Sequence, residues 1–139
     1  MKVTIGFFIL FICGLPLLTQ DECNVQEYTN KGIKTLSEEG GYTFLKSYPV
    51  SGQQGKTYSY IFSQGTHYMI ALANHKTDAE GVFIRIYDAE KHEIVSSLVS
   101  GKYYPAVAFT CKRTGIYQLQ FAFENTSKYC AAGVLGMKR

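Results

Sequence analysis

Three histidines, a group of carboxylates and a few cysteines are the side chains here whose types could support chemistry. His67, His75 and His92 occur in neither His-x-His nor His-x-x-x-His spacing. A zinc site would therefore need them to converge from separate loops. Asp88, Glu90 and Glu93 offer the paired carboxylates that glycoside hydrolysis uses. They flank one predicted turn, with Lys91 and His92 among them, and suit a solvated hairpin tip better. Cys111 could act as a nucleophile if His67 or His75 approached it as base. Its alternation with Val107 and Phe109 suits a small buried hydrophobe instead. Gly-x-Ser-x-Gly and phosphate-cradling glycine loops are both missing from the sequence. The expectation is no catalytic residue, no metal site and no cofactor.

Tyrosine is the unusual component. The chain holds 11 Tyr and no Trp. Most Tyr fall on alternating stretches, where the ring packs at a core edge and the hydroxyl reaches water. Tyr103 and Tyr104 differ, because they precede Pro105 in a predicted loop and follow Lys102. An aromatic pair in a loop can stack on a sugar or anchor a protein partner. Lys102, Tyr103 and Tyr104 are therefore the candidate ligand or partner surface, with the polar Lys76–Gly81 tip as a second loop to inspect.

The elements that must position these residues read as follows. Met1–Thr19 has one basic residue, Lys2, then an apolar run too short to span a bilayer comfortably, which predicts a secretory signal. About 120 residues then remain, enough for one domain. Asp21–Glu39 carries Val25, Tyr28, Ile33 and Leu36 on one helical stripe, with Lys31 and Lys34 opposite. Gly40-Gly41 stops that helix, and Gly32 is expected to weaken it by about 1 kcal/mol.

From Tyr42 onward the period becomes that of strands. Tyr58, Tyr60 and Phe62 alternate with Ser59, Ile61 and Ser63, and Tyr117, Leu119, Phe121 and Phe123 share one side. Eight strands are predicted: Tyr42–Val50, Tyr58–Ser63, His67–Asn74, Val82–Tyr87, Glu93–Val99, Ala106–Cys111, Gly115–Phe123 and Cys130–Met137. No helical pattern separates them, so the fold is expected to be mainly β. It is read as an antiparallel, jelly-roll-like β-sandwich with one short N-terminal α-helix. The expected organisation is a signal peptide at 1–19, a helical arm at 20–40 and a sandwich at 41–139.

Charge and cysteines narrow the setting. The formal charge is +3 and its basic residues are scattered, which argues against a nucleic-acid partner. Cys13 falls in the signal, leaving Cys23, Cys111 and Cys130. An exported chain meets oxidising conditions, so one disulfide and one leftover thiol are expected. Cys23–Cys130 is preferred, closing a loop worth about 4–5 kcal/mol in the chain-entropy model. Cys111–Cys130 is the competitor. The residues around Cys13 and Cys23 do not suit a lipid anchor, so no stable membrane attachment or span is expected after signal removal.

Three stretches together carry a family resemblance. They are Tyr58–Ile70 with its Gln64-Gly65 turn, Val82–Asp88 and Thr114–Phe121. Their order resembles the bacterial pre-peptidase C-terminal type of domain, a jelly-roll-like sandwich found beside secreted proteases. The chain more closely resembles small exported proteins of one lineage of gram-negative bacteria, which have a Cys-bearing N-terminal helix, the same strand order and a final strand like Cys130–Lys138. The resemblance covers most of residues 23–138. It implies an exported β-sandwich, and for the pre-peptidase type a link to calcium or matrix binding through acidic strand ends. Here those ends hold Asn74 and Asp88, a departure from that pattern.

The functional expectation is a non-catalytic, secreted or periplasmic interaction or structural module of the cell envelope, partnered by another envelope or secreted protein. A calcium- or glycan-binding adhesion-like module is the alternative, and a small hydrolase comes third.

Overall fold

The computed structural model describes residues 13–14 and 23–139. The proposed signal peptide lies outside the described residues except for Cys13 and Gly14. Helix α1 spans Val25–Glu38. Asn24 caps it, its side chain accepting from the Glu27 N–H at 3.2 Å, which satisfies one of the unpaired donors of the first turn. Ten strands follow: β1 Thr43–Ser51, β2 Lys56–Phe62, β3 His67–Ala73, β4 Val82–Tyr87, β5 Glu93–Ser96, β6 Leu98–Val99, β7 Lys102–Tyr103, β8 Ala106–Thr110, β9 Gly115–Phe123 and β10 Cys130–Lys138.

Two four-stranded antiparallel sheets form the sandwich. The first has the order β1-β10-β3-β8 and the second β2-β9-β4-β5. With the small β6–β7 hairpin set aside, the eight long strands interleave as 1-8-3-6 and 2-7-4-5 in chain order. That interleaving is the jelly roll, so the expected fold class holds.

The core is the space between the sheets. Tyr48, Ile70 and Leu135 of the first sheet meet Phe62, Ile84 and Phe121 of the second. Phe62 is the hub of an aromatic group, with Tyr68, Phe109 and Tyr117 ring centroids 4.5, 5.1 and 5.3 Å away. Such tilted and edge-on pairs add to the stabilisation from area burial. Gly133 of β10 faces this core, where any Cβ would overlap the Phe121 ring. The Phe121 side chain therefore occupies space that only glycine leaves open.

The first sheet has a second covered face. Helix α1 lies on its outer side and buries Leu36 against Met69, Ala71 and Val134. The predicted stripe was partly wrong. Thr29, Gly32 and Leu36 are the buried helix residues, while Ile33 is exposed. Gly32 is the point of closest approach, since a Cβ there would overlap the Val134 side chain. Gly136 likewise makes room for Leu36, whose Cδ1 would stand 2.9 Å from an added Cβ. The glycine expected to weaken the helix is what lets it dock.

The disulfide is Cys23–Cys130, with Cα atoms 5.4 Å apart, as preferred from the sequence. It ties the start of α1 to the start of β10. Cys111 is free and buried. The disulfide fits an oxidising compartment, and no helix among the described residues is long and apolar enough to cross a membrane.

One strand departs from its predicted form. Glu93–Val99 is broken at Ser97, which is fully buried. Its Oγ accepts from the Ile84 N–H at 2.9 Å, its own N–H donates to the Ile84 carbonyl, and its carbonyl accepts from the Tyr104 N–H. Three bonds at one residue fix a corner where the chain leaves the second sheet. The expected Ser100–Pro105 loop is then a hairpin, its turn made by Ser100 and Gly101, both at positive φ.

Candidate binding surfaces

A cleft of about 760 Å³ opens at one end of the sandwich, between the β4–β5 and β8–β9 turns. One wall is Asp88, Glu90 and His92, the other Lys112, Arg113 and Thr114. Phe109, Cys111 and Tyr117 form its deeper part, and Ile94 and Ile116 its lips. The volume falls in the range of small-ligand and peptide sites.

The acidic wall owes its shape to one side chain. Asp88 Oδ1 accepts from the Glu90 N–H at 2.9 Å and the His92 N–H at 2.8 Å. The Lys91 N–H closes on the Asp88 carbonyl at 3.0 Å, with Lys91 at φ 65°. An Asp that accepts local backbone N–H groups is a turn-former by chemistry. The His92 N–H is the largest influence holding the Asp88 carboxyl below its ordinary pKa. Desolvation opposes it, and the Glu90 N–H and the His92 ring support it. The His92 Nδ1 lies 3.3 Å from Asp88 Oδ2 and 3.6 Å from Glu90 Oε2. The ligand-type atoms of Asp88, Glu90 and His92 fall within 4.8 Å of one another. The sequence placed Asp88, Glu90 and His92 around one turn, and the backbone bonds to Asp88 are what draw their ligand-type atoms together. Glu93 turns elsewhere, to Arg85 at 3.3 Å.

Cys111 lies beneath the basic wall. Its Sγ is 3.2 Å from the Arg113 carbonyl and 3.7 Å from the Tyr117 hydroxyl, which itself donates to the Arg113 carbonyl. Burial, then the neighbouring thiol, raise the Tyr117 pKa. No hydrogen bond joins Cys111 to a histidine among the described residues. His67 meets Thr110 Oγ1 at 2.7 Å. His75 lies beyond the far end of β3, its pKa lowered by burial and then by Lys128 and Lys76. His67 and His92 meet different partners, the buried His75 Nδ1 meets none among the described residues, and the three form no shared ligand set.

The predicted surface Lys102, Tyr103 and Tyr104 belongs to the β6–β7 hairpin at the opposite end. Residue Glu124, which touches it, follows β9, and the cleft meets the start of β9 at Gly115, roughly 27 Å away along an extended strand. The two rings do not act as a pair. The Tyr103 hydroxyl lies on the Glu124 carbonyl at 3.4 Å, and burial, then Glu124, raise its pKa. Tyr104 is 41% exposed, with Lys102 Nζ 4.9 Å from its ring centroid. The Lys76–Gly81 loop is braced from within: Asn74 is buried, donates to the Glu80 carbonyl at 2.9 Å and accepts from the Lys76 N–H at 2.9 Å.

A third surface escaped the sequence reading. Among the described residues, no helix lies over the outer face of the second sheet. Ile61 of β2 pairs with Ile116 of β9 across that face, and they are 63% and 56% exposed. Beside them Gln118 donates to Ser59 at 3.1 Å. A shallow hollow of about 290 Å³ is lined by Thr57, Tyr87, Lys91, Gln118 and Gln120. The signal was present in the alternation, which set Ile61 on the face opposite Tyr60 and Phe62.

No family model matches the chain, and no curated protein matches it. Among solved structures, it is similar to a chain of the Glycosylation Associate Protein (Gap123) complex from Streptococcus agalactiae, with 13% identity and a TM-score of 0.42. The similarity covers 73% of this chain and 40% of that chain, so this chain spans less than half the length of that structural neighbour.

Proposed function

We propose that the protein is an exported, non-catalytic interaction module that docks another envelope or secreted protein at its end cleft. The observation carrying this reading is the cleft's composition: about 760 Å³ bounded by one acidic wall, one basic wall and the apolar lips Ile94 and Ile116. An apolar rim that excludes water strengthens charge pairs with a partner, and opposed walls select one orientation of it. An accessory role of this kind also accords with the resemblance to pre-peptidase-type domains. The test is crosslinking in the native cells from a photoreactive residue at Lys112. A specific adduct that disappears with Arg113→Glu supports the reading; recovery of the uncrosslinked chain alone overturns it.

The second reading, a calcium- or glycan-binding module, draws on the Asp88, Glu90 and His92 group and on exposed Tyr104. A ligand that binds only the folded state raises its stability by about 2.7 kcal/mol at a hundredfold excess over Kd. An unchanged melting temperature with calcium and with a glycan panel removes this alternative. A hydrolase would need a nucleophile and base in contact, and Cys111 and the histidines offer no such pair among the hydrogen bonds of the described residues.

A further inference from the structure

A jelly roll has four edge strands, and here they are β1 and β8 in the first sheet and β2 and β5 in the second. Each edge presents unpaired backbone N–H and C=O groups, so it invites another strand unless something blunts it. Strand β1 carries Pro49 and a register shift between Phe44 and Lys46. Strand β5 has four residues, begins at the charged Glu93 and carries a register shift at Ile94, between the Ile86↔Val95 and Tyr87↔Glu93 pairs. Strand β8 has five residues.

Strand β2 shares only the charged start, at Lys56, and has no proline, no register shift and no shortening. It runs seven residues, Lys56–Phe62, and pairs with β9 in unbroken register from Lys56↔Phe121 to Phe62↔Gly115. It contains no proline, and after Lys56 it carries no charge. Thr57, Ser59 and Ile61 are exposed, and Tyr58 and Tyr60 half-buried. These are β-branched, aromatic and small residues, the composition that pairs most readily.

We propose that β2 is a self-association edge, along which two copies of the chain pair antiparallel and join their second sheets into one continuous sheet. The strand is complementary to itself. A two-fold axis through Ser59 sets Ile61 opposite Thr57 of the second copy, and Tyr58 opposite Tyr60 of the second copy. The two Lys56 ammonium groups then lie at opposite ends of the seam, so no like charges meet. Ile116, beside Ile61 on β9, widens the apolar strip on both sides of the seam. The resulting contact is isologous and closed, as a symmetric dimer requires. This seam adjoins the end cleft at Ile116 but runs along the β2 edge, away from the two charged turns that would dock a partner. A dimer without a crosslinked partner, or a crosslinked partner on a monomer, distinguishes the two proposals.

The test is sedimentation equilibrium of the disulfide-bonded chain from about 10 µM to 1 mM, the range of weak interfaces. The dimer fraction is expected to rise across that range. Ile61→Lys, at an exposed position, is expected to weaken dimerisation at least tenfold with unchanged circular dichroism. Ile94→Lys, in β5 at the opposite edge of the same sheet, is expected to leave it unaltered. Amide exchange supplies a second measure, with slower exchange along β2 at the higher concentration. A chain monomeric throughout, or a dimer indifferent to Ile61→Lys, overturns the proposal. So does an equal loss with Ile94→Lys, which would indicate a general apolar contact.

Discussion

The two sheets have similar inner faces and opposite outer ones. The central strands of the first sheet, β3 and β10, are buried on both sides, and Ala131 through Gly136 are all buried in succession. Small residues make this possible, because Gly133 admits Phe121 from the core while Gly136 admits Leu36 from the helix. The second sheet alternates instead, and β9 buries Tyr117, Leu119 and Phe121 while exposing Ile116, Gln118 and Gln120. A face covered by its own chain does structural work, whereas a face that no described residue covers, with paired isoleucines on it, is available for contact. The disulfide completes the contrast, since it fastens the helix that covers the first sheet.

The largest expected effect comes from cutting that fastening. Replacing Cys23 and Cys130 by Ala opens a 107-residue separation and should cost about 4–5 kcal/mol in urea unfolding. Next is the helix seat. Leu36→Ala should cost about 3 kcal/mol, because a fully buried side chain leaves a cavity between α1 and β10. Gly32→Val should cost about 1–3 kcal/mol by pushing against Val134. If either left the melting curve unchanged, the covered face would not be a structural face.

Within the core, Tyr48 is 1% exposed and its hydroxyl has no partner among the described residues. Burial, then Tyr60 and Tyr58, push its pKa up to about 12. Tyr48→Phe should therefore raise stability by about 1 kcal/mol, by removing an unsatisfied buried group. On the bare face, Ile116→Ser should change stability by less than about 0.5 kcal/mol. A larger loss would show that this face contributes to folding as well.

The smallest effect is pH-dependent. The Asp88 pKa is lowered from 3.8, so the folded state binds that proton less readily than the unfolded chain. Its contribution is present above that value and is lost as pH falls through the folded midpoint. The difference between the protein and Asp88→Asn in urea unfolding should be visible near pH 6 and vanish in strong acid. An NMR titration midpoint of Asp88 above 3.8 would contradict the turn geometry.

Much of the fold was readable because its signals are local. Tyr58, Tyr60 and Phe62 alternate, and alternation by itself sets one side of β2 toward a core. Gly40-Gly41 ends the helix through its backbone freedom, at φ 132° and 68°. The Cys23–Cys130 pairing followed from setting Cys111 aside as part of an apolar alternation. The candidate surfaces were less legible. Tyr103 and Tyr104 are adjacent in sequence, yet Glu124, 20 residues beyond Tyr104 in sequence number, separates their roles by holding Tyr103. Asp88, Glu90 and His92 read as a solvated tip, and the cleft exists only because the Lys112–Thr114 turn stands opposite them.

The sequence by itself determined most strands and their inward faces, because a period of 2 is a property of neighbouring residues, and it favoured Cys23–Cys130 over Cys111–Cys130. Tertiary structure alone decided which outer face the helix covers, which edge stays open and which turns enclose a cleft. Those outcomes depend on contacts such as Gly32 against Val134 and Ile61 beside Ile116, between residues far apart in the chain. No local pattern specifies such pairs; they arise only when the two sheets close on each other.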